Sequence, residues 1–301
     1  MPLPYTPAAA LLRAVFTPDP EWLEIPGTRV GIRNQWFCSD RQDVLPGAAR
    51  YRCAVHEVEF PGTADAPPDA GPAAVLAPAD VAIAENGRFR YSTVVPRGAG
   101  PARQAILLLH GLNERAWDKY LPWALRLVEL TGAAVLLVPI AFHMNRAPAA
   151  WSRPKAMQPV AAARQAQFPS LTGSSVANAA ISARLHNLPE RFFWSGMQTY
   201  YDILQLLRTV RAGRHPDLAP AARFDCFGYS MGAFLALILL MTNEEDLFAT
   251  SRLFAFCGGT TFDRTYAVSR YILDSAALVA LYAFFVEELE AACARKPRLA
   301  H

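Results

Sequence analysis

Gly228-Tyr229-Ser230-Met231-Gly232 spells G-x-S-x-G and joins one apolar stretch, Arg223 to Gly228, directly to another beginning at Met231. The chemistry this pattern serves is nucleophilic. A serine on so tight a strand-to-helix turn stands clear of the sheet, and glycines two residues to either side let the backbone close around it. Attack on a carbonyl develops negative charge on oxygen, which needs fixed N–H donors. Met231 N–H, opening the next helix, is one such donor, and the helix dipole favours an anion there. His110-Gly111-Leu112-Asn113 follows the apolar run Ala105 to Leu109, with Gly111 allowing close backbone approach. Leu112 N–H is the expected second donor.

The elements that must position these groups are readable from Ala105 onward. AILLLHG is a continuous apolar run ending at Gly111, the mark of a strand covered on both faces. Leu121, Ala124, Leu125 and Val128 follow at helical spacing, and Gly132 stands where a helix C-cap belongs. Ala133 to Ile140 predicts another buried strand. A long Ala/Pro/Ser-rich excursion, from about Ala141 to Glu190, separates it from a helix carrying Tyr200, Ile203, Leu204 and Leu207. Arg223 to Gly228 is then a strand, the run from Met231 a helix, and Arg252 to Gly259 a strand. This alternation predicts an α/β fold: a mostly parallel sheet with helices on both faces. Upstream, Arg88 to Val95 predicts a strand with Phe89, Tyr91 and Thr93 on one face, and Tyr51 to Phe60 a strand followed by a loop from Pro61 to about Pro78. Residues 1–50 carry Trp22, Trp36 and Phe37 but no period, and stay an unassigned N-terminal extension to a domain spanning 51–301.

Composition narrows the partners. Apolar residues make up 52 % of the 301 and charged residues 18 %, enough for a large core. Lys and Arg number 29 against 26 Asp and Glu, a net +3 too weak for a nucleic-acid or membrane-surface protein. The longest apolar runs, Gly232 to Met241 and Ala276 to Val286, fall short of the ~18 residues a bilayer requires. Arg13 interrupts the apolar N-terminus, unlike a secretion signal. The five cysteines, Cys38, Cys53, Cys226, Cys257 and Cys293, form no CxxC pair, which argues against a zinc site or disulfide framework and for a reducing, cytoplasmic setting. Cys226 and Cys257 are expected as buried thiols on neighbouring strands.

In LLLHGLNE (Leu107 to Glu114), the strand near Val135 to Pro139 and FGYSMGAFLA (Phe227 to Ala236), the chain resembles the α/β-hydrolase superfamily over about 170 residues. The resemblance implies Ser230 as nucleophile, Leu112 and Met231 as oxyanion donors, and the excursion of 141–190 as a cap over the pocket. It implies a serine hydrolase acting on an ester or related acyl substrate, a small molecule, with no metal or organic cofactor. A non-catalytic acyl-ligand-binding protein and an acyltransferase are the alternatives, since the fold does not fix the function.

The pattern departs from the superfamily after Ser230, where the order should be acid, then histidine. Asp263 is the tentative acid, weighed evenly against a capping role in TTFDRT; Asp274 reads as surface or cap. The histidine that follows Ser230 is His301. The stretch after Gly259 reads as helix with no strand beyond Phe256, so the expectation is a member whose last strands are lost or left out, with a base from an unusual place in the chain as the alternative. The run Ala276 to Val286 is apolar on nearly every side and calls for a cover, including a second copy of the chain. His110 reads as a structural member of its loop, His143 as a rim residue able to line the pocket, and His56, His186 and His215 as structural. Trp117, Trp123, Trp151 and Trp194 read first as packing, with an acyl pocket as the sharper alternative.

Overall fold

The computed structural model describes residues 4–53, 56–62, 71–258 and 261–300. Nine strands occur among them: β1 (Trp22–Glu24), β2 (Val30–Cys38), β3 (Arg50–Arg52), β4 (Glu59–Pro61), β5 (Arg88–Pro96), β6 (Ala102–Leu109), β7 (Ala134–Leu137), β8 (Leu218–Tyr229) and β9 (Leu253–Phe256). The helices are α1 (Tyr5–Val15), α2 (Ala84–Gly87), α3 (Leu121–Thr131), α4 (Pro154–Gln167), α5 (Ala179–Asn187), α6 (Glu190–Arg211), α7 (Met231–Thr242), α8 (Ser275–Tyr282), α9 (Leu289–Arg295) and α10 (Pro297–Ala300). The chain divides into two compact units, one of residues 1–38, 88–144 and 200–259, the other of 39–87, 145–199 and 260–301.

The first unit is an α/β sheet of seven strands in the order β1-β2-β5-β7-β6-β8-β9. β7, β6, β8 and β9 run parallel, whereas β1, β2 and β5 pair antiparallel along the other side. The unassigned N-terminal segment thus supplies two strands, β2 matching β5 over nine positions from Val30↔Pro96 to Cys38↔Arg88. β7 is shorter than the apolar run containing it, because Pro139 has no N–H to give a central ladder. β9 is likewise only four residues of the predicted eight.

One face of the sheet, carrying Ile32, Val94, Ile106, Leu108, Val135 and Leu137, is sealed by Leu12 of α1 and by Leu121, Ala124, Leu125 and Val128 of α3. Each such leucine, isoleucine or valine, fully buried, stabilises by about 1.5–3 kcal/mol. α7 lies on the opposite face: a Cβ on Gly228 would stand 2.4 Å from Ala233 Cα. The two crossovers explain this split. From β6 the chain moves through α3 to β7 on one side, and from β8 through α7 to β9 on the other. Right-handed crossovers in opposite directions put their helices on opposite faces, and the direction reverses between β6 and β8.

The second unit holds the ribbon of β3 and β4, with Arg50↔Pro61 to Arg52↔Glu59 in register. The single strand expected over Tyr51 to Phe60 is therefore two arms. Cys53 N–H bonds to Val58 O, and Glu57 takes φ 54° in the reversal; alternating sequence reads alike for one strand or a turn-joined pair. His56 consequently lies in the turn, its Nδ1 3.3 Å from Cys53 Sγ. The loop after Pro61 contains a 3-10 turn, Gly71–Leu76. The excursion carries α4 and α5. Asp274 is fully buried rather than on the surface: it caps α8 by accepting from Ala277 N–H and holds Arg164 by two bonds of 2.7 and 2.8 Å. The apolar run after it keeps an open stripe, since Val279, Tyr282 and Val286 are exposed while Ala277, Leu281 and Phe284 are buried. Among the described residues no helix is long and apolar enough to cross a membrane.

Candidate active site

Ser230 stands between β8 and α7 at φ 53° and ψ −117°, a backbone conformation costly for any side chain but glycine. What holds it there is close packing on both sides. A Cβ on Gly232 would lie 2.3 Å from Leu109 O, and one on Gly228 would enter the backbone of α7. The Ser230 N–H donates to Phe256 O of β9 at 2.9 Å, and its carbonyl accepts from Ala233 N–H, also at 2.9 Å. The turn is thereby fastened to β6, β9 and its own helix. Gly258, just past β9, fits against Ala233 and the Ser230 carbonyl where a Cβ would clash.

The loop after β6 runs beside this turn. The position of a Gly111 Cβ is 3.5 Å from Ser230 Cβ and 3.0 Å from the Tyr229 ring. Gly111 N–H donates to Tyr120 Oη at 2.9 Å, and that hydroxyl donates to Glu114 Oε1 at 2.9 Å. Glu114 also pairs with Lys119, whose Nζ sits 4.1 Å from the centre of the Tyr229 ring. Burial pushes the Tyr120 phenol well above its ordinary pKa, keeping the proton it donates. Leu112 and Met231, the expected N–H donors, are both half-buried; Met231 directly follows Ser230, and Leu112 follows Gly111, whose Cβ position is the one near Ser230.

The histidines differ sharply. His110 is fully buried; its Nε2 accepts from Ile140 N–H at 2.9 Å, so its Nδ1 carries the hydrogen given to Gly111 O at 2.8 Å. Both ring nitrogens are engaged with backbone, the structural arrangement. His143 is buried with its ring centre 5.2 Å from that of His110. Because a carbonyl can only accept, its Nδ1 donates to Ala141 O at 2.9 Å. His215 sits under β2, where burial lowers its pKa to about 4. His186 Nδ1 meets Ala276 O in the second unit, and His301 lies outside the described residues.

Asp263 belongs to the second unit, exposed on the short turn Phe262–Arg264. A bond from the Thr261 hydroxyl, and next the Arg264 guanidinium, hold its carboxyl below the usual range. Cys226 is buried, its thiol pushed up to about 12 by burial, but Cys257 is exposed because β9 is the last strand of the sheet. Trp117, Trp151 and Trp194 are buried as packing, and Trp123 stacks on Phe227 with ring centres 5.7 Å apart. Tyr120 and Lys119 are hidden in the sequence because, in WDKYLPW, they look like the mouth of a helix, and Glu114 because it merely ends LLLHGLNE; the one signal is their nearness to Gly111.

Among solved structures, the chain is similar to a cold-adapted esterase from an Arctic intertidal metagenomic library (11 % identity, TM-score 0.34, 75 % of this chain and 60 % of that one). It is also similar to a thermostable esterase from Pseudomonas putida (11 %, TM-score 0.39, 95 % and 60 %). A third is brefeldin A esterase, a bacterial homologue of human hormone sensitive lipase (TM-score 0.40, 98 % and 63 %). The chain spans about three-fifths of the length of these structures. No curated protein matches it. One family model does, over residues 3–301, and the chain belongs to that family, described as "Family of unknown function (DUF6051)".

Proposed function

We propose that the protein is a serine hydrolase of the α/β-hydrolase kind, acting on an ester or related acyl substrate. The observation that carries the reading is Ser230 itself. A non-glycine residue at φ 53° is kept on the carboxyl edge, at the reversal point of the sheet, with a glycine loop against it. In this reading Ser230 Oγ attacks the carbonyl carbon and its proton goes to a base. The bond to the alcohol then breaks, the alcohol leaves with a proton, and water releases the acid from the acyl-enzyme. Leu112 and Met231 N–H groups hold the oxyanion. Asp263 is the acid that chain order offers. His110 is not the base, since both its ring nitrogens are bound to backbone.

That same engagement favours a second reading, a protein that binds acyl ligands without turning them over. Hydrolysis of p-nitrophenyl esters of graded chain length separates the two. The expected result is turnover that falls at least a thousandfold in Ser230→Ala, with a fluorophosphonate adduct on Ser230 alone. Ester binding without turnover or adduct would establish the second reading instead.

A further inference from the structure

The geometry points to Tyr120 as the positioning residue of the oxyanion loop, an inference that rests on the acyl-transfer reading above. An oxyanion donor works only if its direction is set before the substrate arrives. The turn from Gly111 to Asn113 leaves a strand end and bends at Asn113, φ 59°, so regular ladder bonds do not set its direction. Tyr120 does. It takes the Gly111 N–H at 2.9 Å and passes its own hydrogen to Glu114, 2.9 Å away, with Lys119 on the same carboxylate oxygen. The ring is fully buried and packs edge-on against Trp117 (5.8 Å), Trp123 (5.3 Å) and Tyr229 (6.1 Å), the last being the neighbour of Ser230.

One side chain therefore touches both halves of the site, the loop after β6 and the turn after β8. By consuming the Gly111 amide it removes that group from the set of oxyanion donors and turns the peptide so that the next amide, Leu112's, is offered to a carbonyl at Ser230. Buried beneath the loop, Tyr120 does not itself meet the reacting atoms.

Tyr120→Phe keeps the ring and deletes only the hydroxyl. The expected result is a kcat for p-nitrophenyl acetate lower by about ten- to a hundredfold, KM within about twofold of wild type, and faster hydrogen exchange at the Gly111 amide. Glu114→Ala, which leaves the tyrosine but removes its acceptor, follows the same pattern, and Glu114→Gln recovers part of the lost kcat; this pair serves if the tyrosine variant fails to fold. Unchanged kcat, or a raised KM at full kcat, overturns the assignment. Fluorophosphonate labelling distinguishes the two failures. Wild type that does not label at Ser230 defeats the hydrolase reading and this inference with it. Wild type that labels, with Tyr120→Phe labelling equally fast, defeats this inference alone.

Discussion

In the first unit, what departs from ordinary structure is the backbone. Asn113, Phe142, Met144, Ser230 and Cys257 all take positive φ, and they follow β6, β7, β8 and β9 at the same edge of the sheet. In the second unit, what departs is charge. Arg146, Arg164, Arg184, Arg191 and Arg298, the buried arginines among the described residues, all belong to it. Asp80 there receives both Arg184 at 2.9 Å and Arg191 at 3.1 Å, and Asp274 receives Arg164. Buried ion pairs specify how elements meet, with little net gain in stability, while strained turns persist only where surrounding packing over-determines them. The difference sets architecture held by buried charge in one unit against turns held by close packing in the other.

The hardest blow to that contrast is aimed at Asp80. Asp80→Ala leaves two guanidinium groups buried without their shared carboxylate, and the expected loss is about 3–5 kcal/mol of unfolding free energy. Denaturant titration measures it. A loss under about 1 kcal/mol would mean the cluster is solvated in solution and would break the comparison.

These two kinds of feature were not equally legible. The glycine-flanked serine and the apolar runs of β6 and β8 are local: steric need and double-sided burial write themselves into adjacent residues. The antiparallel half of the sheet is not. β2 carries Arg33, Asn34 and Gln35 in its middle, and their partners, Asp217 for Arg33 and Ser92 for Asn34, stand far away in sequence. The buried pairs of Arg164, Arg184 and Arg191 are illegible for the same reason, since the carboxylate each meets lies 104 to 111 positions distant. Tyr120 is an intermediate case. Its ring is readable as core, its hydroxyl's errand only from coordinates.

His215 sharpens the contrast from the first unit's side, where an ionisable group is buried neutral rather than paired. Its pKa is lowered from 6.5 to about 4, chiefly by burial and against the pull of Asp217. Above pH 6.5 neither folded nor unfolded chain holds the proton. Below it the unfolded chain takes up a proton the native state refuses, so stability falls as pH drops from 6.5 towards 4, by about 2–3 kcal/mol in all. His215→Gln should flatten that part of the stability curve, measured by urea midpoints across the range. An unaltered slope would place the titrating group elsewhere.

Two glycines of the first unit give the finest division, because each is needed for a different reason. Gly232 has no unusual φ, but a methyl group there would press on the carbonyls of Leu109, at 2.3 Å, and His110, at 2.7 Å. Gly232→Ala must move the end of β6 against α7, and should cost about 2 kcal/mol together with most ester hydrolysis. Gly132 is the reverse: it ends α3 at φ 68° with open space around its Cβ position. Gly132→Ala pays only for the left-handed conformation, about 1 kcal/mol, and should leave kcat and KM as they are. If the two substitutions cost alike and spare activity alike, close packing at the strand end is not what holds Ser230 in place, and the chemistry assigned to that edge loses its physical support.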